Sequence, residues 1–327
     1  MTTAVKPKNM SAWIKSGTAV TATSASDVAR QAGLDWTVSL HEVSATYQIP
    51  GQGSPVHIPV KNKQAVVKTT AMGEVTPLGV VGSKYKPFQN GEVFSLLDTL
   101  IDSGDARYAA AGEYDGGAKV WMLMSLPIEL TVANDPHSAF LLARTSHDGS
   151  SSVIIKPVIE RLYCMNQINK IYKNNNKYTY QLTHTTNAEL SISDIRNILD
   201  LTYNMATEYS EMANSLLQRQ VSTEAAINYF KKVFPLPSAV EEAPLHLLSK
   251  GDKTMRTRAM AARHAAMHIY TTSETQANIR DTEFGLWQSV VEYADHGKPN
   301  KSKSLGIRTM SGASDNLKLR ALELLTN

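Results

Sequence analysis

The 327-residue sequence contains one cysteine, Cys164. A lone thiol closes no disulfide within the chain and cannot supply the several sulfur ligands of a structural zinc site. Its expected role is that of a small buried apolar residue. Long apolar runs are also missing. No stretch approaches about 18 consecutive apolar residues, so no membrane-spanning helix is expected. The opening MTTAVKPKNM lacks the apolar segment of a secretory signal. Charge is sparse, at 19% of residues with a formal net charge of +3. That composition argues against a wholly disordered chain, and it permits nucleic-acid binding without demanding it. Nucleotide signatures are absent as well: there is no GxxxxGK[ST] run, no Rossmann glycine fingerprint and no GxSxG elbow. ATP-driven and dinucleotide chemistry are therefore disfavoured, and no cofactor is expected. These absences point to a cytoplasmic protein of a reducing compartment.

What is present is an apolar fraction of 42%, enough for a sizeable core, and a change of period midway along the chain. Residues 1–23 read as a loosely held tail rich in Thr, Ser, Ala and Lys. A short helix follows, capped by Ser24 or Ser26 and ended by Gly33. Strands are predicted at Trp36–Ile49, Val56–Val60 and Ala65–Thr70, the last two joined by Lys61, Asn62 and Lys63. Val80 and Val81 read as a buried strand, and a helix is predicted from Glu92 to Ile101. Arg107–Tyr114 and Ala118–Leu126 flank Asp115-Gly116. Ala139–Arg144 and Val153–Ile159 flank Asp148-Gly149. Asp-Gly between apolar runs is a hairpin signal, because both residues tolerate positive φ.

From Leu162 the helical period takes over. Helices are predicted at Leu162–Tyr172, from Ser191 or Ser193 onward, from Ser222 to Pro235, at 254–280, at 282–295 and after Ser314. Lys177–His184 reads as a last strand and 238–253 as a linker. The class is α+β: a mostly antiparallel sheet with a packed helix first, long helices after. The expected units are the tail, a strand-rich core over 24–186, a helical region over 187–297, and a basic loop with a C-terminal helix over 298–327.

Several clusters have residue types suited to chemistry. The loop Lys84-Tyr85-Lys86-Pro87-Phe88 combines cations for phosphates with rings for stacked bases. Lys61, Lys63 and Lys68 in the strand region extend such a surface, as do Lys170, Lys173 and Lys177 around Tyr172 and Tyr178. Arg256, Arg258 and Arg263 recur on one helix. His147 and Asp148, in the run SHDGS, pair a proton carrier with a carboxylate, although Asp-Gly is wanted there for the turn alone. His184, in LTHTT, ends a strand. Glu292, Asp295 and His296 fall within one helical turn and share a face. Such a trio suits a metal or acid–base work, and equally a solvated helix end.

The runs GVVGSKYKPFQNGEVF, ARTSHDGSSSV, Cys164-Met165-Asn166, LTHTT and FGLWQSVVEYADH occur in an order that resembles the phage/plasmid-like family. This is a domain of unknown function carried on phages, plasmids and bacterial mobile elements. Met165 departs from the family pattern, so no role is built on Cys164. The resemblance implies mobile-element DNA metabolism in a bacterial host cell. An antiparallel sheet with basic-aromatic loops is also similar, more distantly, to phage single-strand annealing proteins. They work without a nucleotide site and assemble as rings or filaments. Three functions are thus expected in order of preference. The first is an oligomeric, ATP-independent protein that binds and anneals single-stranded DNA through Lys84, Tyr85, Lys86 and Phe88, with Lys61, Lys63, Arg256 and Arg263 behind them. The second is a metal-dependent hydrolase or nuclease using His147, Asp148, His184 and the Glu292–Asp295–His296 trio. The third is a structural or host-interaction protein without ligand chemistry.

Overall fold

The computed structural model describes residues 17–51, 53–95, 97–161, 179–184, 192–296 and 313–326. In chain order these form β1 (Thr18–Ala19), α1 (Ala25–Gln31), β2 (Thr37–Tyr47), β3 (Val56–Thr69), β4 (Val75–Gly82), α2 (Asn90–Ser95), α3 (Asp98–Asp102) and β5 (Arg107–Tyr114). There follow β6 (Lys119–Val132), β7 (Asp135–Ser146), β8 (Val153–Arg161) and β9 (Tyr180–Leu182). The helical half holds α4 (Ile192–Leu217), α5 (Thr223–Val233), α6 (Ser238–Glu241), α7 (Lys250–Thr272), α8 (Glu283–His296) and α9 (Ala313–Thr326). The α+β expectation is met.

Alternation along β6 builds the centre. Val120, Met122 and Met124 serve one face and Trp121 and Leu123 the other, and all five are fully buried, as the two-residue period of a strand dictates. The six-stranded sheet has the order β1-β5-β6-β7-β8-β9, antiparallel throughout. Helix α4 packs on β6 and β8. Its stripe of Ile198, Leu199, Thr202, Met205, Tyr209 and Leu216 is buried as its spacing predicts. Helices α5, α7, α8 and α9 pack around one another beyond it. One continuous core cluster runs from Val20 to Leu322.

A second sheet, β2-β3-β4, leans against the 148–149 turn. Strand β4 pairs only with Lys63–Thr69, so the outer ends of β2 and β3 form a two-stranded ribbon. Lys61, Asn62 and Lys63 do not connect two strands. They belong to one long β3, within a bulge between the pairs Glu42–Gln64 and Ser44–Pro59, where Asn62 takes a left-handed φ of 60°. Lys-Asn-Lys has the composition of a turn, and only pairing with β2 reveals the bulge.

Other departures have similar causes. The end of the expected tail pairs with β5, and a Cβ at Gly17 would lie 2.5 Å from Ala111 O and from the Trp121 ring. The expected helix Glu92–Ile101 is two short helices, joined by three-residue bonds from Leu97 N to Phe94 O and from Leu100 N to Leu97 O. Strands β6 and β7 extend to a turn at Ala133-Asn134, both left-handed, which no glycine announces. The expected linker holds α6, a short turn at 245–247 and the start of α7, capped by Ser249. The helix expected at Leu162–Tyr172, Cys164, Lys170, Lys173, Lys177 and the basic loop Lys298–Ser304 lie outside the described residues.

Gly79 of β4 is where the two sheets meet. An added Cβ would stand 2.7 Å from Asp148 Cα and 3.1 Å from its carbonyl oxygen, both backbone. Gly79→Ala is therefore expected to destabilise the fold by about 1–3 kcal/mol through overpacking, read as a lowered urea midpoint. An unchanged midpoint would show that the sheets do not abut there.

Candidate nucleic-acid interface

The loop after β4 begins with a tight turn, Tyr85 N donating to Gly82 O at 3.0 Å. It leaves Lys84 and Lys86 exposed and turns Tyr85 and Phe88 inward. Tyr85 donates its hydroxyl to Ser146 O at 3.1 Å and stacks on His184, with ring centroids 4.8 Å apart. Phe88 packs on the same imidazole at 5.1 Å. Burial, then the Asp148 carboxylate, pushes the Tyr85 hydroxyl well above its ordinary pKa. The two rings, expected to stack on bases, are engaged in packing, and the loop's outward chemistry is its two lysines.

His184 and His147 are held as opposite tautomers. Lys86 O, which only accepts, takes a bond from His184 Nδ1 at 3.3 Å, so Nε2 accepts from Thr145 Oγ1 at 3.2 Å. Lys86 N in turn donates to His184 O, so backbone and ring fix the loop to the end of β9. Asn90 donates Nδ2 to Leu34 O, which leaves its Oδ1 to accept from His147 Nε2 at 2.9 Å. His147 is fully buried, with Trp36 edge-on at 5.3 Å. Burial, then the neighbouring His184, lowers its pKa to about 4, and burial lowers that of His184 too. Asp148 stays near the surface. Burial pushes its carboxyl up, but bonds from Ser150 and the Lys119 charge outweigh this and hold it below its ordinary value.

The sequence thus brings together the KYKPF loop, His147, Asp148 and His184, and the residues that join them were not singled out in it. Asn90 falls in the loop before the predicted helix, Trp36 at the start of a predicted strand and Thr145 just past the end of one. No spacing links them to histidines far along the chain.

These tautomers carry a pH dependence. The unfolded chain takes a proton on His147 below about pH 6.5, whereas the folded state resists it down to about pH 4. The stabilisation is complete above pH 6.5 and is lost as pH falls through that window, by about 3 kcal/mol. Urea unfolding between pH 7.5 and about 4.5 tests this, since His147→Gln should flatten the loss. A wild-type stability that is constant across the window would contradict neutral burial of His147.

Four exposed lysines lie on β3 and on the loop after β4. Lys63 is the β3 partner of Gly82, and Lys84 follows Gly82 by two residues. Lys61 lies in the adjoining bulge and Lys86 beyond Lys84. All four are exposed, and none makes an ion pair with a described residue. Lys68 differs. It is half-buried and paired with Glu113 at 2.9 Å, with its ammonium 4.4 Å over the Trp36 ring.

The remaining candidates serve packing. Arg263 binds Glu241 through both terminal nitrogens and donates Nε to Phe234 O. Arg256 donates to Ala243 O at 2.7 Å. Both guanidinium groups are thus engaged within the fold, which favours a packing role for them. Glu292 accepts from Ser273, Thr275 and Gln276, sharing no partner with His147 or His184. Asp295 is paired with Lys318 at 2.7 Å in the interior. The His296 side chain lies outside the described residues. Among the described residues no group of three or more His, Cys, Asp or Glu side chains is placed to hold a metal ion, and no helix is long and apolar enough to cross a membrane.

A comparison with protein families matches residues 77–321 to the family described as Domain of unknown function (DUF932). The matched span includes the KYKPF loop and both histidines. No curated protein and no solved structure matches the chain.

Proposed function

We infer that the chain, which belongs to the DUF932 family of domains of unknown function, binds single-stranded nucleic acid through Lys61, Lys63, Lys84 and Lys86. The observation that supports this most is their shared exposure along β3 and the loop after the adjoining end of β4, none of them in an ion pair with a described residue. Ammonium groups in that state attract phosphates and displace their counterions. The loop is fixed through His184 and Ser146, so two of the four are presented from an ordered base, which lowers the ordering cost of binding. With Tyr85 and Phe88 turned inward, the contact is to backbone phosphates and carries no base preference.

The motif order shared with phage/plasmid-like proteins, and a sequence without a nucleotide-triphosphate loop, favour ATP-independent annealing during phage or plasmid recombination. Fluorescence anisotropy with a labelled single strand and its duplex is the test. Affinity for the single strand should fall by roughly 50-fold between about 50 and 200 mM salt if all four lysines meet phosphates. No binding to either probe at low salt would defeat the reading.

A further inference from the structure

We propose that two copies of this chain associate through the groove between α5 and α7, each placing Leu245 and Leu247 in the groove of the other. The groove has a volume of about 390 Å³ and apolar walls from Ile227, Phe230, Met260 and Met267, with Lys231 and His264 beside them. One wall is fixed by the Arg263–Glu241 pair, at 2.6 and 3.3 Å, so the groove is built before anything enters it.

The segment after Glu241 carries the complementary feature. Leu245 and Leu247 are 61% and 70% exposed, although both are large and apolar. They sit on a short turn held by Leu247 N to Pro244 O and, just before it, by Arg256 donating to Ala243 O. The leucines are thus presented in a fixed geometry, which reduces the cost of docking them.

Both features lie along one side of α7. Arg256, Met260, Arg263, His264 and Met267 recur at three- and four-residue spacing, the period of one helix face. Arg256 anchors the leucine turn, and the others line the groove. A protrusion and a groove side by side on one patch are self-complementary about a two-fold axis: each copy gives its leucines and receives its partner's. The charges agree, since Glu242 flanks the protrusion and Lys231 the groove. A second copy is the occupant that covers both features at once. A small apolar molecule would fill the groove and leave the leucines bare.

Sedimentation velocity on the full chain tests this. The wild type should be a dimer at micromolar concentration. Leu245→Asp with Leu247→Asp, and separately Met260→Glu, should each weaken the dimer by about 100-fold or more, because each removes one side of every contact. Circular dichroism confirms that these surface variants stay folded. As an independent readout, a Leu247→Cys copy mixed with a Met260→Cys copy, both carrying Cys164→Ser, should form a disulfide-linked pair when a mild oxidant such as oxidised glutathione takes up the two electrons. A wild type monomeric at about 100 μM, or a dimer indifferent to all of these changes, overturns the proposal.

Discussion

Asp295→Ala is expected to cost the fold about 3–5 kcal/mol, as is Lys318→Ala. The two side chains are 0% and 4% exposed and stand 2.7 Å apart between α8 and α9. Removing either breaks an interior ion pair and leaves its partner's charge without that counter-ion. The damage should spread, because α9 is held by the same neighbourhood: Trp287 Nε1 donates to Lys318 O, and the Tyr229 hydroxyl donates to Ala321 O. Replacing both partners by apolar residues, Asp295→Leu with Lys318→Met, should recover most of the loss, since an apolar pair carries no desolvation penalty. Urea unfolding of the single and double variants decides it. Single variants that lose under about 1 kcal/mol would mean that the pair is hydrated and that Asp295 is free for other work.

Replacing Lys61, Lys63, Lys84 and Lys86 together by alanine is expected to lower affinity for a single strand by roughly 100-fold at low salt. The same variant should unfold at nearly the wild-type midpoint, because exposed residues that make no ion pair with a described residue contribute little to stability. Lys68→Ala and Arg263→Ala serve as opposite controls. Each removes a cation bound to a carboxylate, Glu113 or Glu241, so each should lower stability and change the binding of a phosphate backbone little. If the four-lysine variant binds as well as the wild type, the nucleic-acid reading is wrong, whatever the stability results.

How much of this was legible in the sequence depended on whether the signal was local. The turns at Asp115-Gly116 and Asp148-Gly149 are written in residues that tolerate positive φ, and both appear where expected. The Ala133-Asn134 turn adopts the same left-handed geometry without a glycine, so β6 and β7 were read too short. Caps at Ser24, Ser222 and Ser249 obey local chemistry; the sequence offers Ser24 or Ser26 for the first and Ser222 for the second.

Non-local geometry was hidden. The KYKPF loop offered two lysines and two rings, and its sequence does not say which pair faces out. That is decided by His184, which arrives from β9 to stack on Tyr85. Similarly, the composition around Asp295 suits a solvated helix end, and only the arrival of Lys318 on α9 makes it an interior ion pair.

The most direct test of the central claim is the slope of log affinity against log salt for a labelled single strand, measured on the wild type and on the four-lysine variant. If the four side chains meet phosphates, the wild-type slope should be steeper by about 3, at roughly 0.7 per neutralised phosphate. Equal slopes for the two proteins would place any nucleic-acid contact elsewhere and contradict the account.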